Sequence, residues 1–121
     1  MVLVNAWKRV VAERYAQFTG RAGRAEFWWF ALSNFVVILV LLALSRAAGF
    51  FYVVYAIYAL ALIVPSIAVS VRRLHDIGKS GWWILIALVP FVGGIILLVF
   101  HVMDSQPGAN EFGPPADPLP A

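Results

Sequence analysis

The sequence contains no cysteine, which excludes disulfide bonds, thiolate metal sites, iron–sulfur clusters and cysteine nucleophiles. Charge is also scarce, because Asp, Glu, Lys and Arg make up only 12% of the 121 residues, against about 25% in an average soluble domain. Hydrophobic residues account for 63% of the chain, and its mean hydropathy is +0.88. This composition excludes a soluble monomer of this length.

Three long stretches contain no charged residue: residues 27–45, 47–71 and 80–103. As helices that rise about 1.5 Å per residue, all three are long enough to cross a hydrocarbon core about 30 Å thick. We therefore predict an all-α integral membrane protein with three transmembrane helices at these positions. Residues 1–105 form a single membrane domain in this interpretation, and a proline-rich tail follows over residues 106–121.

Residues 1–18 place apolar side chains at helical three- and four-residue spacing. This pattern predicts an interfacial amphipathic helix, with basic side chains toward anionic headgroups and Trp7 and Tyr15 at the membrane boundary. The alternative is that the helix packs on the protein's own helical bundle. Two glycines within residues 19–24 end the helix before the first span.

The third apolar stretch contains Pro90, Gly93 and Gly94 near its centre. We predict a crossing helix that is kinked or broken there, since proline removes a backbone donor and clashes with the preceding turn. The alternative is a re-entrant hairpin that returns the tail to the side from which the stretch began. The tail holds five of the seven prolines, so we expect it to be extended or disordered, without a core of its own.

Basic residues are distributed unevenly between the predicted connections. Eight of the nine lie before the first span or between the second and third spans, and Arg46 is the exception. The positive-inside rule then predicts a cytoplasmic N-terminus in a multi-pass protein. With three crossings, the C-terminus would lie outside.

Two short motifs suggest chemistry that their context does not support. Gly78-Lys79-Ser80 lacks the earlier glycine of a phosphate-binding loop, because position 73 is arginine. His75 and Asp76 have too few ligating neighbours for a metal site. The spans contain no ionisable residue apart from His101, which argues against a coupled transporter. We predict no catalytic residue, cofactor or metal, and no nucleic-acid partner.

The remaining charged residues gather at the predicted cytoplasmic interface. The short connection between the first two spans brings Glu26 to the depth of Arg72 and Arg73, so we predict an ion pair there. Asp76 can accept from Arg21 or Arg24, which would leave the other cations free for phosphate oxygens. The predicted lipid-binding or partner-binding cluster comprises Arg21, Arg24, Glu26, Arg72, Arg73, His75, Asp76 and Lys79.

These residues lie in two segments, FTGRAGRAEFW at residues 18–28 and RRLHDIGKSGWW at residues 72–83. The segments resemble the two signature motifs of the YhaH/YhaI-type family of small bacterial inner-membrane proteins, a domain family of unknown function. Pro90, Gly93 and the NEFG sequence at residues 110–113 are similar to weaker elements of the same pattern. The resemblance covers nearly the whole chain and implies a bacterial inner-membrane location, but no biochemical activity.

We therefore expect a non-enzymatic helical bundle whose basic cytoplasmic cluster binds anionic lipid headgroups or a membrane protein partner, with self-association as a further expectation. One alternative is a component of an oligomeric channel or transporter. The other is a membrane enzyme that acts at the Arg-His-Asp cluster.

Overall fold

The structure is a computed structural model of the chain and describes residues 1–118. Within that range every element of secondary structure is helical, apart from an isolated β-bridge between Asn110 and Gly113. The predicted all-helical fold class is therefore confirmed. The elements are α1 (Val2–Lys8) with a π-helical turn (Arg9–Glu13), α2 (Arg24–Ala47), α3 (Phe50–Ala61), α4 (Ile63–Asp76), a 3₁₀ helix (Gly81–Leu88) and α5 (Val92–Val102).

Two helical segments are long and apolar enough to cross a membrane: α2, and α3 together with α4 (Phe50–Asp76). Only 11% of the residues in an 18-residue apolar stretch of α2 are buried, and 22% of those in the corresponding stretch of the second segment. A core helix of a soluble protein would be mostly buried, so this exposure suits contact with lipid. The two segments are joined at residues 48–49 and pack against each other, as expected from the short connection between the first two predicted spans.

The second long segment is interrupted between α3 and α4, at Leu62. Pro65 lies three residues later, and its ring nitrogen cannot donate the helical hydrogen bond that the carbonyl of Ala61 would accept. Pro65 therefore accounts for the interruption, although no break was predicted at this position.

The third apolar stretch does not form one crossing helix. The rings of Trp83 and Phe100 are 5.7 Å apart, and Nζ of Lys79 is 5.6 Å from the ring centroid of Phe100. In a continuous helix, residues 83 and 100 would be separated by about 25 Å. The chain instead reverses between the 3₁₀ helix and α5, as in the hairpin alternative, and a third crossing helix is not confirmed.

The reversal occurs at Phe91, which has φ 62° and ψ −58° and is 89% exposed. The N–H of Val92 donates to the carbonyl of Pro90 at 2.7 Å, which closes a three-residue γ-turn. Gly93 then lies directly against the carbonyl of Ile86, where any Cβ would overlap the oxygen. Close backbone contact between the two arms therefore requires glycine at position 93.

Helix α1 packs on the bundle, as in the alternative interpretation of residues 1–18. Ala6 and Val10 are fully buried, and the indole N–H of Trp7 donates to the hydroxyl of Tyr58 at 2.9 Å. The π-helical turn ends at Glu13, so residues 14–18 of the predicted helix are not helical. The predicted interfacial helix is therefore corrected to a helix that packs on the bundle, because the protein covers the face that carries Ala6 and Val10.

Candidate functional site

The interior of one end of the bundle is charged. Arg72, Arg73 and Asp76 at the end of α4 are completely buried, and Glu26 in the first turn of α2 is 2% exposed. Arg72 and Arg73 are also the largest fully buried side chains in the described residues. Burial of charge at this scale is tolerated only when the groups are paired.

Glu26 is surrounded by three arginines, which together with it form what we call the Glu26 cluster. Its Oε2 pairs with Nη1 of Arg72. Its Oε1 lies 3.5 Å from Nη1 of Arg9 and 3.6 Å from Nη1 of Arg14. The carboxylate of Glu26 in α2 therefore connects both ends of the π-helical turn to α4.

The π-helical turn explains how Arg9 and Arg14 reach the same carboxylate. The N–H of Arg14 donates to the carbonyl of Arg9 at 2.9 Å, which is the i to i+5 bond of a π-helix. Residues five apart point about 140° from each other in an α-helix, whereas the wider turn brings them toward one face. The irregular turn thus directs both guanidinium groups at Glu26.

Arg72 uses only part of its hydrogen-bonding capacity. Its Nε donates to the carbonyl of Gln17 at 3.0 Å, and its Nη1 donates to Glu26. Its Nη2 is buried and has no hydrogen-bond partner among residues 1–118. A buried donor without an acceptor is costly, so this nitrogen marks an incomplete arrangement.

A second group, the Asp76 cluster, consists of Asp76, Arg21, Arg73 and Ser105. Oδ1 of Asp76 accepts from Nε of Arg21 at 2.9 Å, and Oδ2 accepts from Nη1 of Arg73 at 2.9 Å. The hydroxyl of Ser105 donates to the same Oδ2. The segment that leads into the C-terminal tail is therefore hydrogen-bonded to the charged interior.

Arg21 binds the tail directly through backbone carbonyls. Its Nη1 donates to Gly108 and its Nη2 to Gln106, each at 2.6 Å, and the N–H of Gln106 donates to the carbonyl of Asp76 at 2.9 Å. The described part of the tail is not wholly extended, because it turns between Asn110 and Gly113, which form the isolated β-bridge. Its contacts with the bundle extend to residue 118, so the prediction of a wholly disordered tail is corrected. Residues 119–121 of the predicted tail lie outside the described range.

The same end of the bundle holds the tail at Asp117. Nη2 of Arg14 pairs with Oδ2 of Asp117 at 2.8 Å. Nη1 and Nη2 of Arg9 donate to the carbonyls of Asp117 and Pro118 at 3.1 and 3.0 Å. The tail thus passes from the Asp76 cluster to the Glu26 cluster.

His75 and the residues after it have structural contacts. The ring of His75 stacks on Phe112, with centroids 4.1 Å apart and planes 2° from parallel, and its Nδ1 lies 2.9 Å from the carbonyl of Gly20. Gly78 has φ 80°, and Lys79 N–H donates back to the carbonyl of Leu74 at 2.8 Å. The Gly-Lys-Ser sequence therefore begins with the glycine cap of α4.

Two of the predicted cluster residues reach the outer rim. Arg24 pairs with Asp104 at 3.0 Å, with side chains 52% and 86% exposed. Lys79 is half-buried and lies over the ring of Trp83 at 5.8 Å. The prediction that all cations beyond two ion pairs stay free for phosphate is wrong, because Arg73 and Arg24 are paired with carboxylates.

The structure brings all eight predicted residues to one end of the bundle. It confirms the ion pairs Arg72–Glu26 and Arg21–Asp76. The sequence analysis missed Arg9 and Arg14, although five basic against two acidic side chains in residues 1–26 was a signal that several arginines would share one carboxylate. Among residues 1–118, no group of three or more His, Asp or Glu side chains could hold a metal ion.

Comparison with known proteins finds relatives over most of the chain. A family model described as "Protein of unknown function (DUF805)" matches residues 15–114. The chain is 39% identical over 113 residues to the inner membrane protein YhaH of Escherichia coli (strain K12), covering 89% of this chain and 93% of that protein. It is 37% identical over 108 residues to the inner membrane protein YhaI of the same strain, covering 88% and 92%. No solved structure matches the chain significantly.

Proposed function

Because this chain belongs to the DUF805 family of unknown function, with relatives that are inner membrane proteins, we propose a non-enzymatic role at the inner membrane. In this proposal the protein crosses the membrane twice, keeps both ends in the cytoplasm and binds anionic lipid headgroups at its charged end. The observation that carries the proposal is the one-sided placement of charge around the two clusters.

The contacts of the tail support an even number of crossings. Arg21 precedes α2 and binds Gly108 and Gln106, which follow α5. Both ends of the chain therefore lie on the same side of any bilayer that contains α2 and the α3–α4 segment. Eight of the nine basic residues belong to this end, so the positive-inside rule makes it cytoplasmic. Residues 80–102 then form a re-entrant hairpin.

Exposed cations at the rim support headgroup binding. Lys8 and Arg24 are exposed and Lys79 is half-buried, while the lipid-facing helices leave large apolar side chains uncovered. A lysine or arginine beside an anionic leaflet contributes about 1 kcal/mol. Three such side chains on one rim therefore favour anionic over neutral headgroups.

The contacts of His75 and Asp76 support a role without catalysis. Both oxygens of Asp76 accept from buried arginines, and the ring of His75 is stacked on Phe112. A general acid or base needs access to a reacting group. Side chains that are occupied by the fold in this way favour a structural assignment of the motif.

The experiment compares lipid retention by purified protein in mild detergent, measured by native mass spectrometry with phosphatidylglycerol and phosphatidylcholine. Neutralising the rim with Lys8→Gln, Arg24→Gln and Lys79→Gln is expected to weaken phosphatidylglycerol binding roughly tenfold or more. The control is Arg46→Gln, which removes the single basic residue at the opposite end. Equal retention of both lipids by the unaltered chain would contradict the proposal.

A further inference from the structure

The Glu26 cluster holds more positive charge than Glu26 can neutralise. Three arginines, Arg9, Arg14 and Arg72, share one carboxylate within 3.6 Å. Two positive charges are therefore left over in a largely buried environment. Excess buried charge of this kind calls for a further anion.

Asp117 of the tail supplies part of that anion in this structure. Its carboxylate pairs with Arg14 at 2.8 Å, and its backbone carbonyl accepts from Arg9 at 3.1 Å. The Asp117 side chain is 69% exposed, whereas that of Arg14 is 19% exposed. The carboxylate thus lies on the solvent side of Arg14, where another anion can replace it.

Arg72 offers a donor that neither carboxylate uses. Its Nη2 is buried and unpartnered among residues 1–118, although Nη1 of the same guanidinium is bound to Glu26. An anion with several oxygens can accept from more than one guanidinium at once. The Asp117 carboxylate binds Arg14 and leaves Nη2 of Arg72 without an acceptor among residues 1–118.

We propose that Arg9, Arg14 and Arg72 form a binding site for a phosphate monoester dianion, and that Asp117 is its built-in competitor. A phosphate monoester carries a charge of about −1.5 to −2 and three acceptor oxygens, which matches the two positive charges that remain when Asp117 leaves. Planar guanidinium groups bind such oxygens in pairs. This inference rests on the proposed function in placing anionic headgroups at this end, and it adds a defined site and ligand class.

The test compares two tail variants, Asp117→Asn and Glu111→Gln, in the full-length chain in detergent. Each removes one acidic charge from the tail, but Glu111 is exposed and belongs to neither cluster. Titration with phosphatidate, followed by native mass spectrometry, should show about fivefold tighter binding for Asp117→Asn. Glu111→Gln should bind phosphatidate like the unaltered chain.

A third variant, Arg14→Gln, removes one guanidinium that is not completely buried and should weaken phosphatidate binding about fivefold. The proposal is overturned if Asp117→Asn and Glu111→Gln bind phosphatidate equally, or if Arg14→Gln has no effect. Thermal protection by inorganic phosphate in lipid-free detergent would identify free phosphate as a sufficient ligand. Protection by phosphatidate alone would identify the lipid as the ligand. Protection by neither compound would also overturn the proposal.

Failure of this inference can be separated from failure of the proposed function. The rim variant with Lys8, Arg24 and Lys79 neutralised leaves all three cluster arginines in place. If phosphatidylglycerol responds to the rim variant but phosphatidate does not respond to Asp117→Asn, only the phosphate site is wrong. The reverse result would retain the phosphate site and reject general headgroup binding at the rim.

Discussion

The hydroxyl of Tyr15 donates a hydrogen bond to the backbone carbonyl of Ala61 at 2.6 Å. In an uninterrupted helix that carbonyl would accept from residue 65, but residue 65 is proline and has no N–H to donate. Tyr15, two residues after the π-helical turn, therefore satisfies an acceptor in the second long helical segment. Within a bilayer such an acceptor would otherwise remain unpaired.

The first prediction is an energetic coupling between Tyr15 and Pro65. Tyr15→Phe should lower the free energy of unfolding by roughly 1 kcal/mol, because the carbonyl of Ala61 loses its donor. The Pro65→Ala substitution creates a backbone N–H that can donate to that carbonyl, so Tyr15→Phe should have little effect in this background. Thermal unfolding in detergent of the four proteins of this double-mutant cycle measures the coupling.

Tyr52→Phe serves as the control for loss of a tyrosine hydroxyl. Tyr52 is 61% exposed, and its described contact is between rings, with Tyr55 at 6.0 Å. We expect Tyr52→Phe to leave the unfolding temperature of the protein unchanged. An equal effect of Tyr15→Phe in the chain that keeps Pro65 and in the Pro65→Ala background would show that the hydroxyl acts through another acceptor.

The second prediction concerns the two adjacent glycines of α5. A Cβ at Gly93 would overlap the carbonyl oxygen of Ile86, whereas a Cβ at Gly94 meets no atom within 4 Å. Gly93→Ala should force the two arms of the hairpin apart and destabilise the protein by about 3 kcal/mol. Gly94→Ala should be neutral or slightly stabilising, because alanine favours the helix.

Folded yield and thermal unfolding in the same detergent compare the two alanine variants directly. A continuous third helix predicts no such difference, since both positions would then lie within one helix without a nearby second arm. Similar stability of the Gly93→Ala and Gly94→Ala proteins would therefore contradict the hairpin.

Hydropathy identified the apolar stretches but could not determine whether the third one forms a continuous helix. Residues 80–103 are long and uncharged in either arrangement, and periodicity reports burial along a helix rather than reversal of the chain. The deciding feature is the approach of Gly93 to Ile86, a contact between backbones that composition does not encode. The proline and glycines indicated the place of the break without giving its geometry.

The charged site was predictable where depth alone determines the partner. Glu26 and Arg72 lie at matching ends of two helices joined by a short connection, so their pairing followed from topology. Arg9 and Arg14 were not predicted to face Glu26, because a regular α-helix would have directed them to different faces. The π-helical turn that aligns them has no simple sequence signature.

The third prediction is that both chain ends lie in the cytoplasm. Green fluorescent protein fused after the tail should be fluorescent, and alkaline phosphatase fused at the same point should be inactive. Alkaline phosphatase inserted at Gly49, between α2 and α3, should be active because this connection lies at the opposite end from Arg21 and Asp76. An active phosphatase fusion at the tail would restore the model of three crossings.

The fourth prediction is that Glu26→Gln destabilises the protein far more than the same substitution of a glutamate at the surface. Removal of this carboxylate leaves Arg9, Arg14 and Arg72 close together without the anion they share. Loss of one member of a buried ion pair costs about 3–5 kcal/mol, since the remaining charge stays desolvated. Glu13→Gln, at an exposed position of the π-helical turn, should change stability by less than about 0.5 kcal/mol.

Adding Arg14→Gln to Glu26→Gln distinguishes electrostatic repulsion from simple loss of a hydrogen bond. The second substitution removes one of the three mutually repelling cations, so it should restore part of the unfolding temperature that Glu26→Gln loses. In the chain that keeps Glu26, Arg14→Gln should instead be neutral or mildly destabilising, because it breaks the contacts with Glu26 and Asp117. Additive losses in the double variant would show that the three arginines do not repel one another through a shared carboxylate, and that the Glu26 cluster carries no excess positive charge.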